Sequence, residues 1–348
     1  MMDMISLMKH DFRIVRLGAD DARDKTDHLR SLSDLVATNE PMYPGIQTWF
    51  KEKVLPGITS LERVAFIGYL NDKPAISAVV KRGKRAKFCH LKINGPLQDL
   101  HFGELFFTLM ALEVREFAQE IHFTLPEGLW EEERGFFQSF CFQEAKKSRV
   151  QYRQGEEELR CSAAFWEVWR AALDKLPKMQ EWFSIDGFSL GNGLLMSIHP
   201  EYANKILKGE KTVEIRKKVG KGWVGKKVKI YSTSPERSIV GEARIGQVLA
   251  GHPSEIWDRF GAQMGCTKSE FDDYTTHTHE VSAVVFDDVR PYPASIPISQ
   301  LSYFVESDLK PPQSYFELDR NKSWAQAVSV AALLQGSFKH IRPASLAL

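Results

Sequence analysis

The sequence predicts an α+β protein made of two domains. Both halves of the chain contain segments that alternate like strands and segments with the spacing of amphipathic helices. The 348 residues exceed the usual size of one domain, and the stretch 186–193 carries three glycines without hydrophobic periodicity. We therefore expect a first domain at 1–165, a helix and linker at 166–193, a second domain at 194–320, and a C-terminal helix and tail at 321–348.

The composition is that of a folded protein in a reducing compartment. Hydrophobic residues make up 43% of the chain and charged residues 26%, which suits ordinary packed cores. The four cysteines form no Cys-x-x-Cys pair, so we expect neither a disulfide framework nor a metal site. We find no signal-peptide core and no apolar stretch of membrane-spanning length, so the cytoplasm is the expected location and no membrane contact is expected.

The first domain is expected to hold a mixed sheet flanked by helices. Turn signals at Asn71-Asp72 and Arg82-Gly83-Lys84 separate three strand-like segments, which predicts an antiparallel meander. A helix with one apolar stripe follows the meander. The predicted elements, in order, are strand 11–20, helices 26–36 and 46–54, strands 63–70, 75–80 and 87–94, helix 103–118, strand 121–125, helix 130–140, and strands 142–153 and 158–165.

The second domain is expected to consist of strands and short helices after a helix at 165–183. Its first helix, 200–207, should end at Gly209, where a left-handed cap costs little. The last helix, 321–334, should be opened by the polar Asn321 or Ser323. The strands predicted between these helices are 194–199, 211–216, 225–231, 240–249 and 281–286, with a helix around Ile256-Trp257.

Positive charge is concentrated in one segment although the formal net charge of the chain is only +1. Residues 205–229 hold ten Lys or Arg against Glu210 and Glu214, a net charge of +8. Such a concentration is typical of a protein that binds a phosphate-rich partner, and the alternative is a solvated face.

The motif Gly-x-Lys-x-x-Glu-x-Arg at Gly209–Arg216, after Ser197-Ile198-His199, resembles the defining motif of the ASCH family. Further similar segments follow in the family's order: 225–231, 240–249, 281–286 and 311–315. The resemblance covers about 194–318 and implies a PUA-like β-barrel with helices that binds RNA or a modified nucleoside.

The resemblance implies a cleft lined by Lys211, Glu214 and Arg216. Lys and Arg can bind a phosphate or a base carbonyl, and Glu can accept from an exocyclic amine. Lys217 and Lys218 would extend the positive field along an RNA backbone, and Tyr231 could stack on a base. The alternative is that the three motif residues form a structural ion-pair network.

Residues 11–165 resemble a GNAT acyltransferase in the order of their predicted elements. The family binds the coenzyme A pyrophosphate in a glycine-containing loop at a helix N-terminus. The corresponding loop here holds Gln98, Asp99, Leu100, His101, Phe102 and Gly103. Gln98 and Gly103 match the pattern, whereas His101 replaces the first glycine. The resemblance implies acetyl-CoA or another acyl-CoA as cosubstrate.

A second similar segment, 136–145, differs from the family at two functional positions. Phe137 replaces a tyrosine that often protonates the leaving thiolate, and Cys141 replaces a glycine. General acids of this kind usually contribute about 10²–10⁴-fold in rate. The candidates for a general base are His90 and Lys92 on one predicted strand and Glu62 near another.

Three functions follow from these resemblances. In the first, a GNAT-like domain acylates an amine on RNA, on a nucleoside or on an associated protein that the ASCH domain captures. In the second, the protein is a non-catalytic RNA-binding regulator with a degenerate GNAT domain, as His101 and Phe137 would favour. In the third, the ASCH domain hydrolyses a modified nucleoside, although Glu214 stands where such amidohydrolases carry a threonine. The acceptor and the oligomeric state stay open.

Overall fold

The structure is a computed structural model that describes residues 12–18, 25–97, 101–153, 155–179, 184–185 and 188–337. The chain divides into two compact units, the first before residue 187 and the second from 187 to 335. Both units combine a mixed sheet with helices, which confirms the predicted α+β class. Across these described residues we find no helix of the length and apolarity that a membrane span requires.

The first unit is built on a seven-stranded sheet. Its strands are β1 (Phe12–Leu17), β2 (Arg63–Leu70), β3 (Lys73–Lys81), β4 (Arg85–Ile93), β5 (Glu120–Pro126), β6 (Ala145–Lys147) and β7 (Glu158–Ala164). They lie in the order β1-β2-β3-β4-β5-β7-β6. Strands β2, β3 and β4 form the predicted antiparallel meander, and β4 and β5 are parallel neighbours.

Helices cover both faces of this sheet. They are α1 (Lys25–Ala37), α2 (Ile46–Trp49), α3 (Leu55–Thr59), α4 (Phe102–Val114), α5 (Glu127–Glu132), α6 (Arg134–Gln138) and α7 (Phe165–Lys175). On one face, Val36 of α1 packs in a buried cluster with Ile67 and Val79. On the other face, Phe107 of α4 contacts Phe88 of β4, with ring centroids 4.7 Å apart.

Helix α4 is buried nearly all round rather than along the single stripe that its sequence predicts. It packs between strands β3 and β4 on one side and α7 on the other. The charged Glu113 is accommodated because Arg16 and Arg82 both donate hydrogen bonds to its carboxylate. Burial on two sides therefore stabilises this helix more than its amphipathic pattern suggests.

Two sequence predictions in this unit are wrong. The helix predicted to precede Pro56 continues past it, because a π-helical turn at Phe50–Val54 leads into α3, where Pro56 occupies the first turn. The long strand predicted at 142–153 is reduced to β6, which pairs only with β7 at the sheet edge.

The parallel strands β4 and β5 open into a fork. They pair only at their N-terminal ends, where the last pair joins Lys87 to His122. Beyond that pair, the remaining residues of the two strands make no further β-ladder with each other. A β-bulge in β4 at Cys89, between Phe88 and His90, adds a local twist. The fork opens toward the end of β4 from which the chain continues to α4.

The second unit is built on a six-stranded curled half-barrel, which gives the predicted barrel an open form. After the short strands β8 (Ser184–Ile185) and β9 (Phe188–Ser189), its six strands are β10 (Leu194–Ile198), β11 (Val213–Arg216), β12 (Lys227–Ser232), β13 (Ser238–Gly251), β14 (Val281–Pro297) and β15 (Tyr315–Glu317). They lie in the order β11-β14-β13-β12-β10-β15. The helices are α8 (Pro200–Leu207), α9 (Pro253–Phe260), α10 (Lys268–Thr275), α11 (Ile298–Val305) and α12 (Lys322–Ser337).

Both predicted helix ends in this unit are confirmed. Gly209 adopts a left-handed conformation with φ of 76° directly after α8. Asn321 opens α12, because its side-chain oxygen accepts a hydrogen bond from the Trp324 N–H at 3.2 Å.

A fully buried ion pair holds the segment before β10 in place. Lys229 and Glu242 pair across β12 and β13 with no exposed side-chain surface. The carboxylate of Glu242 accepts hydrogen bonds from the Ser189 N–H and hydroxyl, and Lys229 Nζ donates to the Ser189 carbonyl at 2.6 Å. Burial lowers the pKa of Lys229, whereas the charge of Lys229 lowers the pKa of Glu242 despite burial. The pair therefore has a structural role.

Candidate functional site

The three charged residues of the C-terminal motif form one buried ion-pair network. Lys211 Nζ lies 3.2 Å from Glu214 Oε2, and Arg216 Nη1 lies 3.0 Å from Glu214 Oε1. Only 4% of Lys211, 6% of Glu214 and 9% of Arg216 is exposed. Lys211 Nζ also donates to the backbone oxygens of Val213 and Met264, at 2.8 and 2.6 Å. Both oxygens of the carboxylate are thus occupied by cations of the same motif.

Lys211 does not take part in the alternation of the strand, contrary to the predicted pattern. The amides of Glu210 and Lys211 both donate to the Lys205 carbonyl and so complete the cap of α8. Strand β11 begins only at Val213, so the Lys211 side chain reaches Glu214 from the preceding turn. This helix cap brings the three charged groups together.

Arg216 joins the two sides of the curled sheet. It lies on the edge strand β11, and its Nη2 donates to the Ser197 carbonyl of β10 at 2.5 Å. Its Nε is buried and makes no hydrogen bond with any described residue. A buried N–H without an acceptor costs about 1–3 kcal/mol, so this group is a donor that a ligand can satisfy.

Three side chains near the motif were not identified from the sequence: Tyr202, Cys266 and Glu270. The Tyr202 ring lies 5.3 Å from Lys211 Nζ, within cation–π range. Burial raises the pKa of Tyr202 to about 12, with a further contribution from the Glu270 charge. Burial also raises the pKa of Cys266, although Lys211 opposes the shift. These residues come from α8, α10 and the turn before α10, so sequence spacing carried no signal of their proximity.

The structure separates the other predicted nucleic-acid residues into exposed and buried ones. Lys217 and Lys218 are exposed, as a role in phosphate binding requires. The role predicted for Tyr231 as a stacking surface is wrong, because only 2% of the residue is exposed and its ring packs against Trp324. Tyr231 is buried on β12 beside Trp324 of α12, so its aromatic ring serves packing.

The positive surface is smaller than the sequence suggests. Lys211, Arg216 and Lys229 are buried in ion pairs, and Lys205 and Lys227 pair with acidic neighbours. The lysines of the segment that are exposed and make no ion pair with described residues are Lys208, Lys217, Lys218, Lys221 and Lys226.

In the first unit, the fork between β4 and β5 is the candidate active site. His90 and Lys92 lie on the same face of β4, beyond the last pair with β5. His90 is 8% exposed, and its Nε2 is hydrogen-bonded to Ser77 Oγ at 2.9 Å. Burial lowers the pKa of His90 to about 4, with a smaller contribution from Lys92. His90 is therefore a neutral, hydrogen-bonded imidazole at neutral pH.

Glu62 lies away from the fork. It precedes β2, next to the paired ends of β3 and β4, whereas the fork opens at the other end of β4. Its carboxylate pairs with Lys81 at 2.8 Å and with Arg63 at 3.2 Å. The hydrogen bond from Lys81 lowers its pKa. The prediction of Glu62 as a base therefore does not fit its position.

The loop before α4 is described only from His101 onward. Gln98, Asp99 and Leu100 lie outside the described residues. His101 adopts a left-handed conformation with φ of 60°, and its Nδ1 lies 3.1 Å from Glu104 Oε1. The first hydrogen bond of α4 joins the Leu105 amide to the His101 carbonyl, so the amides of Phe102 and Gly103 precede the helical ladder. Such amides suit an anionic ligand.

Both positions at which the GNAT pattern carries glycine have left-handed backbones here. Cys141, like His101, has a positive φ, of 68°. Such a conformation favours glycine, because other residues place Cβ close to the following carbonyl oxygen. The backbone at both positions thus has the conformation that glycine favours, although the side chains are those of His and Cys.

Phe137 lies among aromatic rings, whereas Cys141 lies beside acidic side chains. Phe137 stacks on Trp130 with ring centroids 5.6 Å apart. Cys141 borders a cavity of about 490 Å³, which is also lined by Glu120, Glu144 and Glu167. Phe137 therefore contributes packing in place of a hydroxyl group.

A cluster of four polar side chains lies at the fork, and it was not predicted from the sequence. Its members are His122 and Thr124 of β5, Glu158 of β7, and Tyr43 from the segment after α1. Cross-strand pairing of His122 with Ser162, Thr124 with Arg160 and Pro126 with Glu158 places their side chains on one face. The signal in the sequence was polar residues at every second position of two strands that pair with each other.

Comparisons with known proteins found similar sequences for the C-terminal half of the chain. Residues 192–303 match the family described as a domain of unknown function (DUF365). A protein of Zymomonas mobilis named ASCH domain-containing ribonuclease is 29% identical over 120 residues, which are 34% of this chain and 80% of that protein.

Solved structures give matches for each half of the chain. The crystal structure of ASCH from Zymomonas mobilis has 28% identity and a TM-score of 0.37, covering 40% of this chain and 96% of that one. For the N-terminal region, an N-acetyltransferase from Staphylococcus aureus has 10% identity and a TM-score of 0.35, covering 45% of this chain and 99% of that one. The C-terminal half of the chain is thus similar both to the DUF365 family and to an ASCH protein, the family that its motif resembles.

Proposed function

We propose that this protein is an acyl-CoA-dependent N-acyltransferase whose C-terminal domain binds RNA or a modified nucleoside. The observation that carries the proposal is the fork between β4 and β5, which opens at the end of β4 from which the chain continues to α4. An acyl thioester bound at the N-terminus of α4 and an amine bound on the polar face of β5 and β7 would meet at the opening. Positioning two reactants in this way is a large part of the acceleration that transferases achieve.

The nucleic-acid part of the proposal rests on the C-terminal domain. Its relative from Zymomonas mobilis is named a ribonuclease, which supports RNA as the ligand class. The buried Arg216 Nε offers a donor to a base or phosphate oxygen. The exposed Lys217 and Lys218 lie directly after β11 and suit phosphate contacts.

The alternative is a non-catalytic RNA-binding regulator with a degenerate first domain. His101 and Cys141 support it, because their side chains occupy positions where the acyltransferase pattern has glycine. The Glu104 carboxylate in the first turn of α4 also opposes an anionic ligand at the helix N-terminus. Acetyl-CoA binding separates the two functions.

Calorimetry of acetyl-CoA with the full chain tests the proposal. Gly103→Glu should weaken binding at least about tenfold, because it places a negative charge beside the expected pyrophosphate site. An added Cβ at Gly103 would lie 3.1 Å from the Phe136 ring, so the melting temperature of the variant must be measured as well. Gly135→Glu is the matched control, since no heavy atom lies within 4 Å of an added Cβ there. If the wild-type protein binds no acetyl-CoA, the acyltransferase proposal is wrong.

A further inference from the structure

Glu158 lies at the open end of the fork, and one of its carboxylate oxygens has no hydrogen-bond partner among the described residues. Glu158 pairs with Pro126, the last residue of β5, on the face that also carries Thr124 and His122. Only 5% of Glu158 is exposed. Thr124 donates a hydrogen bond to the carboxylate, yet Glu158 Oε1 is buried without any hydrogen-bond partner among the described residues.

An unpartnered buried carboxylate oxygen is costly, because a buried group that loses its water and gains no donor pays the full desolvation penalty. Native structures contain only a few such groups, and a functional role that brings in a donor is one explanation for them. An alkylammonium group, with three N–H donors and a positive charge, is the ligand that a carboxylate of this kind favours most. Neighbouring aromatic rings would add to the attraction, and the ring centroids of Tyr43 and Tyr152 are 5.8 Å apart beside this site.

We propose that Glu158 binds the ammonium group of the acceptor amine and removes a proton from it before acyl transfer. This proposal rests on the acyltransferase function proposed above and names the substrate class, a primary aliphatic amine. Thr124 orients the carboxylate through its hydrogen bond, and neither group was identified from motif spacing.

The proposed step balances in atoms and charge. Glu158 takes one proton from the ammonium group, which leaves a neutral amine with a free electron pair. The nitrogen forms a C–N bond to the carbonyl carbon of the acyl thioester, and the C–S bond breaks with its electron pair on sulfur. The nitrogen then loses its second proton, the thiolate gains one, and the products are an amide and free thiol.

The ionisation state of Glu158 fits this role. Burial raises its pKa, while the hydrogen bond from Thr124 and the charge of Arg153 oppose the shift. The carboxylate charge in turn contributes to the raised pKa of Tyr43, after burial. A base with a raised pKa accepts a proton more readily at neutral pH. The titratable and charged groups that act on Glu158 from the surrounding elements are Lys87, Arg153, Glu156 and Tyr43.

The test uses the full chain, acetyl-CoA as donor and Nα-acetyl-lysine methylamide as the probe amine. Glu158→Gln should lower kcat/KM for thiol release at least about 100-fold, as expected for loss of a general base. It should also remove the acidic limb of the pH–rate profile, weaken binding of the probe at least tenfold, and leave the acetyl-CoA Kd within twofold. Glu157→Gln is the matched control, because the neighbouring Glu157 pairs with Lys147 at the surface.

Separate binding measurements distinguish failure of this inference from failure of the proposed function. Wild-type protein that binds the probe amine but not acetyl-CoA would refute acyl transfer and leave the ammonium site standing. The inference is overturned if the wild type does not bind the probe, or if Glu158→Gln binds and acylates it within threefold of the wild type.

Discussion

The substitution Glu214→Gln tests whether the C-terminal motif acts mainly as an internal network. Glu214 holds two cations, Lys211 at 3.2 Å and Arg216 at 3.0 Å, and is 6% exposed. Removing one partner of a buried ion pair costs about 3–5 kcal/mol, because charges remain buried without compensation. We expect the lower value, about 3 kcal/mol, because both cations keep backbone carbonyl acceptors and the amide oxygen still accepts one hydrogen bond.

Calorimetric melting of the full chain measures this effect. For a domain of roughly 150 residues, 1 kcal/mol shifts the melting temperature by about 2–4 °C, so we expect the transition of the second unit to fall by about 6–12 °C. Glu210→Gln is the matched control, since Glu210 is exposed on the same segment and should change stability by less than about 0.5 kcal/mol.

Binding of RNA homopolymers to the same variant tests the alternative role. Both carboxylate oxygens are occupied within the motif, so we expect the order of preference among bases to stay unchanged. A melting temperature within 2 °C of the wild type, together with a changed base preference, would show that Glu214 contacts the ligand directly and that the reasoning is wrong.

Two further predictions concern RNA binding and acid stability. Five exposed lysines give a slope of log affinity against log salt of up to about −3.5 for single strands, or about 100-fold weaker binding between 50 and 200 mM salt. The double variant Lys217→Ala, Lys218→Ala should reduce this loss to about 20-fold, whereas the control Lys310→Ala should leave it unchanged. Equal salt slopes for the wild type, the double variant and the control would contradict phosphate contacts by Lys217 and Lys218. His90, with a pKa of about 4 in the folded state, binds fewer protons when folded than when unfolded, so its stabilisation should be lost as the pH falls from about 6.5 to about 4. Urea unfolding at several pH values should show this loss of stability, with a slope of at most about 1.4 kcal/mol per pH unit, and His90→Gln should lack it. If the variant keeps the pH dependence of the wild type, His90 is not the group responsible for the loss.

The C-terminal domain could be predicted largely from local sequence. The motif 209–216 combines a helix stop at Gly209 with a short strand, and both depend on interactions between near neighbours. The Asn321 cap of α12 is local in the same sense. The first domain's meander was also predictable, because turn residues and alternation are short-range signals.

Burial was the property that sequence patterns misjudged. The aromatic character of Tyr231 suits a stacking surface and a core equally well, and only the packing of Trp324 decides for the core. The positive charge of the basic segment is likewise reduced, because Lys211, Arg216 and Lys229 are neutralised in buried pairs with acids. The sign of a charge can be read from sequence, but its exposure depends on elements distant along the chain.

The sequence by itself determined the two-domain α+β organisation and the ASCH-type motif, and it showed that His101 and Cys141 replace glycines of the GNAT pattern. The left-handed backbones at these two positions came from the structure. Only the tertiary structure revealed the fork between β4 and β5 and the polar group around Glu158. The physical reason is separation along the chain. Secondary structure and caps arise between residues a few positions apart. Glu158 and Thr124 are 34 positions apart along the chain, and they meet only because β5 and β7 pair and shield the carboxylate from water.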